Sequence, residues 1–168
     1  MKTMCLKTIT SMAFTAMLAL TMQSSVFAQN TNNDQEDSAS GKLQGFWDVT
    51  VTVHRCDTGQ AIGTLRYMNL FNQGGTIVGA PDSGAALRGP TLGTWRHLDG
   101  QRYSAVIRFF IYKPDGSFDG MQRTTRLIEI SADANEFTAQ SIAQTFDANG
   151  VLIFQAACPA TEVAKRFQ

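Results

Sequence analysis

Arg123, Gln144 and Gln155 are the residues of this chain whose types bear most directly on chemistry. A guanidinium turned into the interior of a β-structure must be hydrogen-bonded or paired, and neutral amides leave its charge uncompensated. An anionic ligand would supply the missing charge. A fatty acid or similar amphiphile would set its carboxylate on Arg123 and its tail against Phe109, Met121, Phe146 and Ile142. Glu129 or water would serve the same purpose inside. The competing reading is that one β-bulge turns Arg123 outward, where it becomes an ordinary solvated arginine.

No other residue group offers a stronger site. His54 stands near Arg55 and Asp57, but no serine or cysteine nucleophile is placed beside it, so it reads as a surface residue. Cys56, Cys158, His54 and His97 lack the spacing of metal ligands. NQGG at 72–75 lacks the strand-turn-helix context of a phosphate loop. Trp95 and Tyr103 line a pocket or simply pack. No catalytic residue, metal or cofactor is assigned.

The elements that must position Arg123 are strands. Past Lys42 the chain is rich in Val, Ile, Thr, Phe and Tyr, and turn signals recur as DTGQ, NQGG, LDGQ, KPDGS, ADAN and DANG. These predict eight strands, near 43–56, 62–72, 75–80, 91–97, 101–112, 118–130, 136–147 and 150–167, with no helix. Closure into an eight-stranded antiparallel up-and-down barrel would satisfy both sheet edges, so the fold class is all-β.

Turn geometry assigns faces if no bulge intervenes. Pairing residues whose numbers sum to 230 across KPDG, 267 across ADAN and 299 across ANG sets Arg123 beside Gln144 and Gln144 beside Gln155. That puts the polar row on the face of Phe109. The opposite face then carries Phe46, Val106, Phe110, Leu152 and Phe154, a patch that the 81–90 loop or another copy of the chain would cover.

Two cysteines remain once Cys5 is excluded with the leader, and an even count favours one Cys56–Cys158 disulfide over two separate buried thiols. Pairing them across the first and last strands gives a sum of 214. That register sets Trp47 opposite Phe167, with Val49, Val51 and Val53 inside. Pro159 cannot donate to the ladder and is the place where a bulge would fall.

The N-terminus bounds the location. Lys2 and Lys7 precede an apolar run, and Val26-Phe27-Ala28 is a small-residue cleavage pattern, so residues 1–28 read as a signal peptide. The apolar run is too short for a membrane span. Residues 29–41 read as a disordered polar tether and 42–168 as one domain. The protein is then periplasmic or secreted. Without the leader the chain holds 12 basic against 14 acidic residues, which excludes the basic stripe of a nucleic-acid binder.

Gly45-Phe46-Trp47 on the first strand, with Arg166 near the end of the last, resembles the Gly-x-Trp and arginine pair of the lipocalins and the wider calycin group. The run through FNQGGTI, GTW and FDANG is similar to exported bacterial calycin-like proteins. The resemblance implies a barrel end closed by the tryptophan beneath the guanidinium, and small-molecule binding. The register above puts Arg166 on the face opposite Trp47, so that contact would run around the barrel end or through a bulge at Pro159. The first reading of function is therefore a non-enzymatic binder of a small hydrophobic or amphiphilic ligand. The alternatives are an isomerase or cyclase of the allene oxide cyclase type, and a protein-binding module such as an exported inhibitor.

Overall fold

The computed structural model describes residues 41–82 and 84–167, so the segments read as signal peptide and tether lie almost wholly outside the described residues. Nine strands follow one another: β1 (Gly45–His54), β2 (Ala61–Phe71), β3 (Thr76–Pro81), β4 (Thr91–Asp99), β5 (Arg102–Tyr112), β6 (Phe118–Ile130), β7 (Glu136–Asp147), β8 (Leu152–Gln155) and β9 (Ala160–Arg166). Each strand from β1 to β7 pairs antiparallel with the next. Both β8 and β9 pair with β7, and β9 returns to β1. The result is a closed eight-stranded up-and-down barrel whose last stave is broken in two. Among the described residues beyond Gly41, a single turn of 3₁₀-helix, Ala85–Leu87, is the one helical element. Among the described residues no helix is long and apolar enough to cross a membrane.

The break in the last stave falls at residues 156–159, between Gln155 and Ala160. Pro159 has no N–H for the ladder. Cys158 is tied to Cys56 by a disulfide spanning 102 positions of sequence. Such a bond fits an oxidising compartment outside the cytoplasm.

The registers decide which side chains enter the barrel. Next to the KPDG turn, Tyr112 faces Phe118, the expected sum of 230; beyond it a bulge intervenes and Ile111 faces Gly120, a sum of 231 that holds as far as Arg102↔Glu129. Gly120 carries the bulge with φ +153°, and a Cβ there would stand 2.1 Å from the Phe146 carbonyl oxygen. The ADAN turn keeps 267 throughout, with Arg123↔Gln144, whereas across ANG the expected 299 holds at Gln144↔Gln155 and Thr145↔Phe154 but not next to the turn, where Phe146 faces Leu152. At closure Trp47 faces Arg166 rather than Phe167, a sum of 213. The cysteines sit beyond the paired residues, where β2 also carries an extra residue, Ile62, opposite the step from Val53 to His54, so their pairing does not report the ladder. Two one-residue slips therefore bracket β6 to β9. The inner faces of β1 and β5 are as expected, and those between the slips are reversed.

One end of the barrel is sealed by rings. Trp47, Phe71, Tyr103 and Phe137 are fully buried with Trp95 beside them. Ring centroids lie 4.9 Å apart for Trp47 and Phe137 and 6.1 Å for Phe71 and Trp95. Each such contact contributes about 0.5–1.5 kcal/mol beyond area burial. The Arg166 guanidinium lies 4.4 Å over the Trp47 ring. It donates to the carbonyls of Ala134, Gln44 and Lys42, while Trp47 Nε1 donates to Leu43 O at 2.9 Å.

Candidate functional site

At the end away from Trp47 the interior is not filled. The reason lies in side-chain size: β7 turns Ala139, Ser141 and Ala143 inward, and the last stave adds Ala156 and Ala160. A cavity of about 230 Å³ results, bounded by Val51, Leu65, Ile107 and Phe109 on the apolar side. Its volume equals the liquid share of about eight waters, which suits a small organic molecule.

Polar groups stand at two levels. At the rim Arg88 is aimed inward by the loop after β3, because Arg88 bridges to Ile111 and the Gly89 N–H donates to Phe110 O at 2.9 Å. Its guanidinium lies 5.2 Å from the centre of the Phe109 ring, and Nη1 donates to the Tyr67 hydroxyl at 2.7 Å. No carboxylate pairs with Arg88 among the described residues. On the cavity wall, Arg126 and Glu162 form an ion pair, each side chain no more than 2% exposed. Arg126 neighbours Ser141, and Glu162 neighbours Ala139, so both reach over β7 and meet above its small side chains. Gln122 and Thr124, from β6, line the same space.

His54, the last residue of β1, also lines the cavity. Its Nδ1 faces the Gly59 carbonyl at 3.1 Å, and Nε2 faces Thr161 Oγ1 at 2.8 Å. A carbonyl can only accept, so Nδ1 carries the proton and Nε2 accepts from the hydroxyl.

Of the residues singled out in the sequence as ligand contacts, the structure puts Phe109 in the cavity. Arg123, Gln144 and Gln155 do form a row, joined at one point by a Gln144 to Gln155 hydrogen bond of 2.9 Å. The row lies on the outer face, because the bulge at Gly120 gives Phe109 Gln122 as its partner and Ile107 Thr124. Met121, Ile142 and Phe146 turn outward with it. The same reversal brings Phe154, expected outside, to the cavity lip opposite Thr145. Trp47 and Arg166 meet at the sealed end, and Cys158 touches the cavity wall. Arg88, Arg126, Glu162, Gln122 and Thr124 were not anticipated. One available signal was Phe137-x-Ala139 alternating with Thr138-x-Gln140, which marks the inner face of β7.

Compared with known proteins, the chain matches no family model, no curated protein and no solved structure.

Proposed function

We propose that this protein is an exported, non-enzymatic binder of a small, partly apolar molecule with an anionic end, acting in the periplasm or outside the cell after loss of residues 1–28. The observation that carries the reading is the cavity with Arg88 at its rim, a cation held by a ring and a phenol and in no ion pair among the described residues. A ligand carboxylate supplies that charge and its apolar body lies along Phe109, Ile107, Leu65 and Val51. The latch of Arg166 over Trp47 supports the reading as well, since it is the arrangement that the resemblance to lipocalins implies. Sealing one end leaves a cup with one mouth.

The test is direct. Small molecules retained by the purified mature protein are identified by mass spectrometry, and straight-chain C4–C10 carboxylates are titrated by calorimetry. Arg88→Gln weakens carboxylate binding by at least about tenfold, or 1.4 kcal/mol. Ala143→Phe fills the cavity and abolishes binding with the fold intact. An absence of retained ligand, together with no heat from any carboxylate, rejects the reading.

A further inference from the structure

Near the mouth the wall formed by β5 to β8 has two edges, and only one of them is covered. On the β5 side the loop after β3 lies along the strand, with Arg88 bridging to Ile111 and the Gly89 N–H donating to Phe110 O at 2.9 Å. On the other side β8 pairs with β7 alone, and no further strand stands beside it among the described residues. Length is the reason. The pairing of β1 with β9 stops at Thr52↔Thr161, and carried on, that register would set Gln155 against Thr58, already in the turn into β2. An open strand edge offers unpaired N–H and C=O groups to any extended chain, and it is ordinarily blunted by charge, by proline or by a covering segment. β8 has none of these. The chain carries no charged residue from Ala148 to Thr161, and Pro159 lies past the strand, whose one irregularity is the extra residue Ile153.

The side chains around this edge are apolar and exposed. Leu152 neighbours Phe146, which neighbours Met121, which neighbours Phe110, so an apolar row crosses the outer face from β8 to β5. Phe118 lies edge-on to Phe110, with 5.7 Å between ring centroids. Val151, Leu152, Ile153, Phe154, Phe110 and Phe118 are each 45–63% exposed. Together they present on the order of 600 Å² of apolar surface, close to the ~800 Å² that each partner contributes to a standard-size interface.

We infer that β8 is the seam of a homodimer, in which it pairs antiparallel with the β8 of a second copy about a twofold axis. One such contact closes the open edge of both copies and leaves no edge over. An uncharged strand meets its own copy without like-charge repulsion, whereas a partner chosen by charge has nothing here to read. A lipid surface would cover the apolar row but leave the backbone groups of the edge unmet. The seam joins β5 to β8 of the two copies into one sheet and sets their outer apolar rows side by side. It requires no ligand in the cavity.

Sedimentation equilibrium of the oxidised mature protein reads the association. A monomer–dimer equilibrium with Kd at or below about 100 µM is expected. Ile153→Lys, at a side chain already exposed, weakens the dimer at least tenfold and leaves the thermal midpoint of the monomer unchanged. Phe167→Lys, which charges the apolar surface at the sealed base instead, leaves the dimer as in the parent. Hydrogen exchange of the parent needs no variant: the amides of residues 152–155 slow as the concentration rises through Kd, while those of β1 do not. A chain still monomeric at about 1 mM overturns the inference. So does a dimer that Phe167→Lys abolishes and Ile153→Lys preserves, or one whose formation leaves exchange in β8 unchanged. Partition onto phosphatidylcholine vesicles without self-association assigns the apolar row to lipid and likewise overturns the dimer.

Discussion

Gly45 has no side chain where Arg166 needs room. Its φ of +118° lies in the region that L-residues avoid, and a Cβ there would stand 2.6 Å from Arg166 Nη1. The glycine thus serves the guanidinium that covers Trp47 two residues on. Burial draws the Arg166 pKa down from its ordinary value, and the carbonyls of Ala134, Gln44 and Lys42 hold the charged form in place. Gly45→Ala is expected to destabilise the protein by about 1–3 kcal/mol, combining backbone strain with displacement of the guanidinium. Urea unfolding checks this; an unchanged midpoint would mean that the latch tolerates a methyl group at its hinge.

At the scale of strands, the bulge at Gly120 sets the inner face of everything that follows. Gly120→Val denies the bulge its glycine, since a Cβ there would stand 2.1 Å from the Phe146 carbonyl oxygen, and a ladder without the bulge carries the turn register of 230 through the whole of β5–β6. Arg123 would then face inward and Ile128 and Ile130, both buried, outward. The Gly120→Val variant should lose its cooperative thermal transition. A variant that still melts sharply within a few degrees of the parent would show that the bulge is dispensable. The turns are tied down separately. In the β6–β7 turn the Asp133 carboxylate accepts from the Ser131 hydroxyl and, next, from Asn135, and these contacts hold its pKa below the ordinary 3.8. The folded form therefore gains stability from Asp133 above that value and loses it as pH falls through the lowered one. Asp133→Asn should flatten this acid limb, and a carboxyl titration by NMR should give a midpoint below 3.8 for Asp133 in the parent.

Strand positions and the closed topology were legible because turn residues and β-branched alternation are local signals. Faces were legible only where alternation was clean. Val49, Val51 and Val53 against Thr50 and Thr52 left no ambiguity, nor did Tyr103, Ala105, Ile107 and Phe109. On β6 apolar residues fall on both faces at Leu127 and Ile128, and on β9 Val163 is outside while Glu162 is inside. There the hydrophobic pattern carries no parity, and a bulge that leaves no composition signal beyond one glycine decides the outcome. The candidate site suffered most, since Arg126 and Glu162 break the very rule by which inner residues are recognised. The Cys56–Cys158 bond was legible from count and compartment, but the two cysteines lie past the paired segment and mislead as rulers of register.

For the whole molecule, the two ends of the barrel are held by different forces. Rings and a half-buried guanidinium lock the base, whereas the rim depends on short β8, the loop carrying Arg88, and the disulfide. Cys56→Ser with Cys158→Ser opens a link spanning 102 positions, for which loop-closure entropy gives an upper value near 4.7 kcal/mol. A loss of about 2–5 kcal/mol is expected, measured against the oxidised parent in urea. Hydrogen exchange should then quicken first in β8 and at the end of β1 rather than around Trp47, since the base keeps its contacts. Equal acceleration throughout would place the disulfide's influence on the whole barrel instead of the rim.

Phe167 N–H donates to Phe46 O at 2.9 Å, so the start and finish of the folded chain leave the molecule together, beside the sealed base. A tag, a fusion partner or a solid support attached through either terminus consequently stands behind the cup. Immobilised in this orientation, every copy would turn the open end of its cavity to the solution, the anchor standing on the opposite side.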